Sequence, residues 1–148
     1  MRELLFSLEQ DEDDWPPFAV EGIWCQPSDG LYRVKTCPLF VKGLSVDDAI
    51  RVKQDDHGDV RSFSVIAPSG NSTIWLIFWD RSAIDVTLQQ MRLTGCQTTG
   101  PLEGMEAKLC SINVPANIDF AEVDALLKPL EASERVAVAH PSHRHPDS

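Results

Sequence analysis

No stretch of the 148-residue chain approaches the roughly 20 apolar residues that a membrane-spanning helix needs; the most apolar run, Thr73 to Trp79, is strand-sized. The first residues, Met1 to Glu9, lack the uninterrupted apolar core and small-residue cleavage site of a secretory signal. The chain therefore reads as a cytoplasmic protein that does not enter a membrane. Basic residues are scarce: 13 Lys and Arg stand against 23 Asp and Glu, a net charge of −10. That surplus repels polyanions at long range, which excludes nucleic acid or an anionic membrane surface as the main partner and leaves a basic protein as the fitting one. Cys25, Cys37, Cys96 and Cys110 show no C-x-x-C spacing, so neither a zinc knuckle nor a thioredoxin-type pair is indicated, and buried thiols are expected. Ser69-Gly70-Asn71-Ser72 matches neither the dinucleotide fingerprint nor the P-loop, and no cofactor is implied.

What is present is an ordinary globular composition, 43% hydrophobic and 24% charged, which excludes collagen-like, coiled-coil and largely disordered chains. Residues 3 to 9 place Leu4, Phe6 and Leu8 on one face, the period of a half-buried strand. Asp11-Glu12-Asp13-Asp14-Trp15-Pro16-Pro17 predicts an exposed loop, because clustered charge opposes packing and tandem prolines remove two donors. Strands follow over 19–25, over 31–41 with an interruption at Pro38, over 49–53 and over 60–66. They are joined by turn chemistry at Pro27-Ser28-Asp29-Gly30 and around Gly58.

After Gly70 the pattern changes. Thr73 to Trp79 suits a central strand covered on both faces. Ser82 reads as the N-cap of a helix bearing Ile84, Leu88 and Met91 and stopping at Gly95. Strands are expected over 96–99 and 105–114, joined by a turn at 100–104. Asp119 caps a second helix with Phe120, Val123, Leu127 and Leu130 as its buried stripe, ended or bent by Pro129. Residues 135–140 close with a strand, and 141–148 read as a disordered tail. The expected fold is α+β: a β-rich curled sheet or partial barrel over 1–70, packed on a ferredoxin-like β-α-β-β-α-β unit over 71–140.

Trp15-Pro16-Pro17, Glu21, Trp24, Cys37-Pro38-Leu39-Phe40, Gly43-Leu44-Ser45-x-x-Asp48, Ser69-Gly70-Asn71-Ser72-Thr73, Gly95-Cys96 and Val114-Pro115 occur in this order. Together they resemble an uncharacterised bacterial family catalogued as a numbered domain of unknown function, over most of residues 3 to 140. The resemblance implies a bacterial cytosolic α+β protein and transfers no catalytic residue. The chain departs from the family pattern in the Cys37 region, where an Asn is expected, and near Asn71, where a His is expected.

Candidate sites are few. Asp11, Glu12, Asp13 and Asp14 beside Trp15 suit a docking patch in which carboxylates meet Lys or Arg and an aromatic anchor supplies desolvated contact. Asp55, Asp56 and Asp59 form a second acidic cluster without the order of a calcium loop. His140, His143 and His145 have no carboxylate or thiol nearby in sequence to complete a metal shell. His57 is the one histidine outside that tail, set in a charged turn. No catalytic residue is assigned. The expected function is a small acidic binding protein, most concretely an immunity protein that neutralises a basic bacterial toxin. The alternatives are a metabolite-sensing or regulatory ferredoxin-like module, and an unrecognised hydrolase or transferase built on His57.

Overall fold

The structure is a computed structural model that describes residues 1–13, 15–102 and 108–146. It divides into two compact units, Met1–Ser69 and Gly70–Ser148.

The first unit is a closed barrel of five strands in sequence order: β1 (Arg2–Ser7), β2 (Val20–Ser28), β3 (Leu31–Val34), β4 (Ala49–Gln54) and β5 (Val60–Ala67). Neighbouring strands are antiparallel, and the ring closes where β1 meets β5 in parallel at Phe6 and Val60. Strand alternation sends Leu4, Phe6, Ile23, Cys25, Val34, Ile50 and Val60 into the core, joined by Val41 and Leu44. The β2–β3 hairpin turns on Asp29 and Gly30, both at positive φ (52° and 81°), the two-residue turn whose twist matches its strands. This tight turn carries β2 three residues beyond the expected Cys25. Pro27 is tolerated there because β1 stops opposite Cys25, so no third strand needs the missing N–H.

The second unit runs β6 (Ser72–Phe78), α1 (Ile84–Thr94), β7 (Gln97–Thr99), β8 (Lys108–Val114), α2 (Phe120–Ala132) and β9 (Val136–Ser142). Its sheet has the order β7-β8-β6-β9 with all pairs antiparallel. Ile74, Leu76 and Phe78 of β6, with Cys110, Ile112 and Val114 of β8, pack with Leu88 and Met91 of α1 and Val123 and Leu127 of α2. The 105–107 part of the expected longer strand and the 103–104 part of the expected turn lie outside the described residues.

Four expectations are corrected. The strand expected over 31–41 stops at Val34, and the amides of Leu39, Phe40 and Val41 go to the Glu21 carboxylate instead of a neighbouring strand. The helix start is not capped by Ser82: Asp80 accepts from the Ser82 amide (3.0 Å) and hydroxyl (2.6 Å), initiating a 3₁₀ turn over Arg81–Ala83 before α1. A carboxylate is the stronger acceptor for orphan amides, so it takes the cap and leaves Ser82 as donor. Pro129 does not end α2, which continues to Ala132. The proline removes one helical bond, and the turn beyond it is closed by the Ser133 amide on the Pro129 carbonyl and the Arg135 amide on the Leu130 carbonyl. The segment from Pro141 is not a loose tail: β9 extends to Ser142, and His145 is buried. Ser72 Oγ accepts from the amides of Arg144 (2.8 Å) and His145 (3.2 Å). These bonds and ring burial offset the ordering entropy that leaves most termini loose. Asp147 and Ser148 lie outside the described residues.

Candidate docking surface

The acidic loop is organised by its first residue. Asp11 Oδ1 accepts from the amides of Asp13 (2.9 Å) and Trp15 (3.0 Å), while the Asp11 amide donates to the Trp15 carbonyl (2.8 Å). Such local bonding is what aspartate does in turns. Asp11 therefore shapes the loop, while Glu12 and Asp13 are exposed carboxylates on it. Asp14 lies outside the described residues.

Trp15 does not stand alone. Its ring meets Phe40 edge-on at 5.9 Å and 71°, and Phe18 meets Phe40 at 5.9 Å and 56°. Trp15 and Phe18 are each 41% exposed, while Phe40 is half-buried between them. Two residues past Phe18, the outer face of β1 and β2 exposes Val20 and Trp24 with Leu5 opposite Gly22. The Glu3 side chain lies over Gly22, so close that a Cβ there would sit 2.7 Å from Glu3 Oε2. The barrel thus displays large apolar side chains with carboxylates beside them, the composition of a protein-binding patch.

Phe40 is held from behind by Glu21. Strand alternation puts Glu21 on the inward face with Ile23 and Cys25, opposite Phe6. There Glu21 Oε2 accepts from the Leu39 amide (2.6 Å), and Oε1 accepts from the amides of Phe40 (3.0 Å) and Val41 (3.1 Å). Burial pushes its carboxyl above the ordinary glutamate value of 4.5, outweighing the three amides that pull it down. Glu21, Phe18, Phe40, Leu5, Val20 and Trp24 were not candidate site residues from the sequence; the signal available was an acid at an inward position of a period-two strand.

The second acidic cluster is built differently. Asp55 Oδ1 accepts from the amides of His57 (2.9 Å) and Asp59 (3.0 Å), and Oδ2 from Arg61 Nε (2.7 Å). Desolvation pushes the Asp55 carboxyl up, but these bonds and the Arg61 charge hold it below the usual aspartate range. Its charge is spent on the β4–β5 turn, while Asp56 stays exposed and Asp59 half-buried. No hydrogen bond or ion pair joins this cluster to the Asp11 loop among the described residues. His57 is exposed at the same turn, where its backbone amide donates to Asp55, and its ring makes no hydrogen bond or ion pair among the described residues.

The polar residues that carry the family resemblance hold backbone in place. Asp48 is fully buried; its Oδ2 accepts from the Ser45 amide (2.9 Å) and its Oδ1 from the Ser69 amide (2.9 Å). Ser69 Oγ donates to the Val46 carbonyl (2.7 Å), and Asn71 Oδ1 accepts from the Ala116 amide (2.9 Å). His145 Nε2 lies 2.8 Å from the Pro115 carbonyl, which can only accept, so in the neutral ring Nδ1 accepts from Ser72 Oγ at 2.6 Å. His140, His143 and His145 all face the ring of Phe120. Among the described residues no group of three or more His, Cys, Asp or Glu is placed to hold a metal ion. All four cysteines are buried, as expected, and burial pushes the thiols of Cys25, Cys96 and Cys110 up to about 11. A cleft of about 390 Å³ lies between α1 and α2, walled by Ala83, Val86, Leu126, Pro129 and Leu130 with Arg135 also lining it.

The family model described as domain of unknown function DUF4265 matches residues 21–138. The chain belongs to this family. The matched span holds Glu21, Phe40, Asp48 and Ser72, the residues whose hydrogen bonds and ring contacts are set out above. No curated protein matches the chain. A crystal structure of a hypothetical protein from Neisseria gonorrhoeae is similar to this DUF4265 protein at 17% identity, with a TM-score of 0.74 over 97% of this chain and 94% of that one. At that identity the likeness shows the fold. No helix of the described residues is long and apolar enough to cross a membrane.

Proposed function

We propose that this DUF4265 protein is a cytoplasmic binding protein whose barrel docks a basic protein, most concretely an immunity protein that covers the active or substrate-binding surface of a basic bacterial toxin. The observation that carries this reading is the pair of exposed rings, Trp15 and Phe18, each against half-buried Phe40 and near the carboxylates of Glu12 and Asp13, on a chain of net charge −10. The charge speeds encounter with a basic partner, and the aromatic anchors slow its departure once water is expelled. Co-purification from the native host at low and at high salt tests it. A basic protein retained at low salt, whose own activity falls when the purified chain is added, supports the reading; a bait that retains no basic protein at either salt contradicts it.

The second unit reads as ferredoxin-like, supported by its β-α-β-β-α-β order and the strand sequence β7-β8-β6-β9. Its α1–α2 cleft favours the alternative of a metabolite-sensing module, since a space of about 390 Å³ with mostly apolar walls, lined also by Arg135 whose Nε donates to Asp80 (3.0 Å), suits a small apolar acid. A melting-temperature rise in a screen of small carboxylic acids supports that alternative, and a flat screen removes it.

A further inference from the structure

We propose that Glu21 is the positioning residue of the docking surface: its ionised carboxylate latches the Leu39–Val41 segment so that Phe40 stands between Trp15 and Phe18, and proton uptake at Glu21 loosens the surface in acid. The inference rests on the docking reading for its consequence, and on the barrel's own hydrogen bonds for the latch.

Three successive amides, of Leu39, Phe40 and Val41, point at one carboxylate, and the middle one belongs to the residue that both exposed aromatics touch. An ionised carboxylate is acceptor-only and serves all three. Protonation turns one oxygen into a hydroxyl that must itself donate, so at least one amide then faces a poor acceptor. The Leu39 bond, at 2.6 Å, is of the short charge-assisted kind that loses most. The residue opposite Glu21 in β1 is Phe6, whose side chain offers these amides no alternative acceptor. Among the described residues, burial raises the Glu21 carboxyl and the amides of Leu39, Phe40 and Val41 pull it down.

The sign of the linkage makes this a local device. Because burial raises the folded-state value above 4.5, the native protein takes up this proton before the unfolded chain does. Through this group the fold therefore gains stability as pH falls through the raised value, while the amide latch weakens. The barrel stays folded as its surface relaxes.

The test is a pH titration of uniformly labelled full-length protein by amide and aromatic NMR, with Glu21→Gln as its companion. The amides of Leu39, Phe40 and Val41 are expected to shift together at one midpoint above 4.5, with the Trp15–Phe40 ring contact fading over the same range. Glu21→Gln replaces one acceptor oxygen by a donor, so at neutral pH it should show the acid-form signals, with exchange of the three amides about tenfold faster. Its signals elsewhere in the barrel should be unchanged. Three amides that titrate independently, or a ring contact that persists through the transition, overturn the proposal. The wild-type titration decides this even if the variant does not fold. Binding of an oligolysine peptide is read in parallel: about tenfold weaker binding to Glu21→Gln at neutral pH supports the link to docking. A titrating latch on a protein that does not bind oligolysine supports the positioning role and overturns the docking reading separately.

Discussion

Trp15 and Phe40 meet edge to face at 5.9 Å and 71°, one from the loop after β1 and the other from the loop after β3. Both loops are fixed by carboxylates, Asp11 under Trp15 and Glu21 under Phe40. The aromatic pair is therefore presented by the barrel in a set geometry, and that preorganisation lowers the entropy a partner must overcome.

Truncating the anchors should cost binding far more than folding. Trp15→Ala and Phe40→Ala are each expected to weaken partner binding by about 2 kcal/mol, the scale of interface hot spots. Trp15 is already 41% exposed, so its removal should lower unfolding free energy by about 1 kcal/mol or less. Titration calorimetry with the purified partner and urea unfolding of each variant separate the two effects.

The loop carboxylates divide into two roles that mutation distinguishes. Glu12→Lys with Asp13→Lys should slow association and flatten its salt dependence, with unfolding free energy within about 0.5 kcal/mol of wild type. Asp11→Ala removes the acceptor of two amides, so it should destabilise the turn by about 1 kcal/mol and broaden the Trp15 signals. Stopped-flow association at several salt concentrations, with NMR of the indole, checks both.

The C-terminal strap depends on one hydroxyl. Ser72→Ala deletes the acceptor of the Arg144 and His145 amides and the partner of the His145 ring. A loss of about 1–3 kcal/mol is expected from buried groups left unsatisfied. Trypsin should then cut after Arg144 several-fold faster than in wild type, in a protein whose β6–β8 amides remain protected.

The legibility of the sequence followed the range of the interactions. The alternation in β1, the central strand β6, the Asp119 cap and the Gly95 stop are all set by neighbours within a few residues and stand where the pattern put them, while the turn expected over 27–30 narrows to Asp29 and Gly30. Barrel closure rests on Phe6 meeting Val60, and no local period encodes that meeting. The order of the last residues depends on Ser72, 73 positions from His145. For the same reason the acidic loop was readable as a surface, but not its aromatic neighbours: Phe40 reaches Trp15 through the fold, and only the inward register of Glu21 distinguishes it from a surface acid.

The thiols give a check on burial in both units. With values near 11, Cys25, Cys96 and Cys110 should be almost wholly protonated at pH 8 and buried away from reagent. Iodoacetamide labelling followed by mass spectrometry should therefore leave these three unmodified in the native protein and modify them rapidly in denaturant.

Docking of a basic protein on the barrel surface is tested most directly by one paired measurement. Wild-type protein and the combined Glu12→Lys, Asp13→Lys, Trp15→Ala variant are used side by side as baits in native-host extract at low salt, after far-UV circular dichroism confirms that both are folded. The prediction is a basic protein retained by the wild type and absent from the variant. A wild-type bait that holds no basic protein, or a variant that holds the same one equally well, contradicts the docking role.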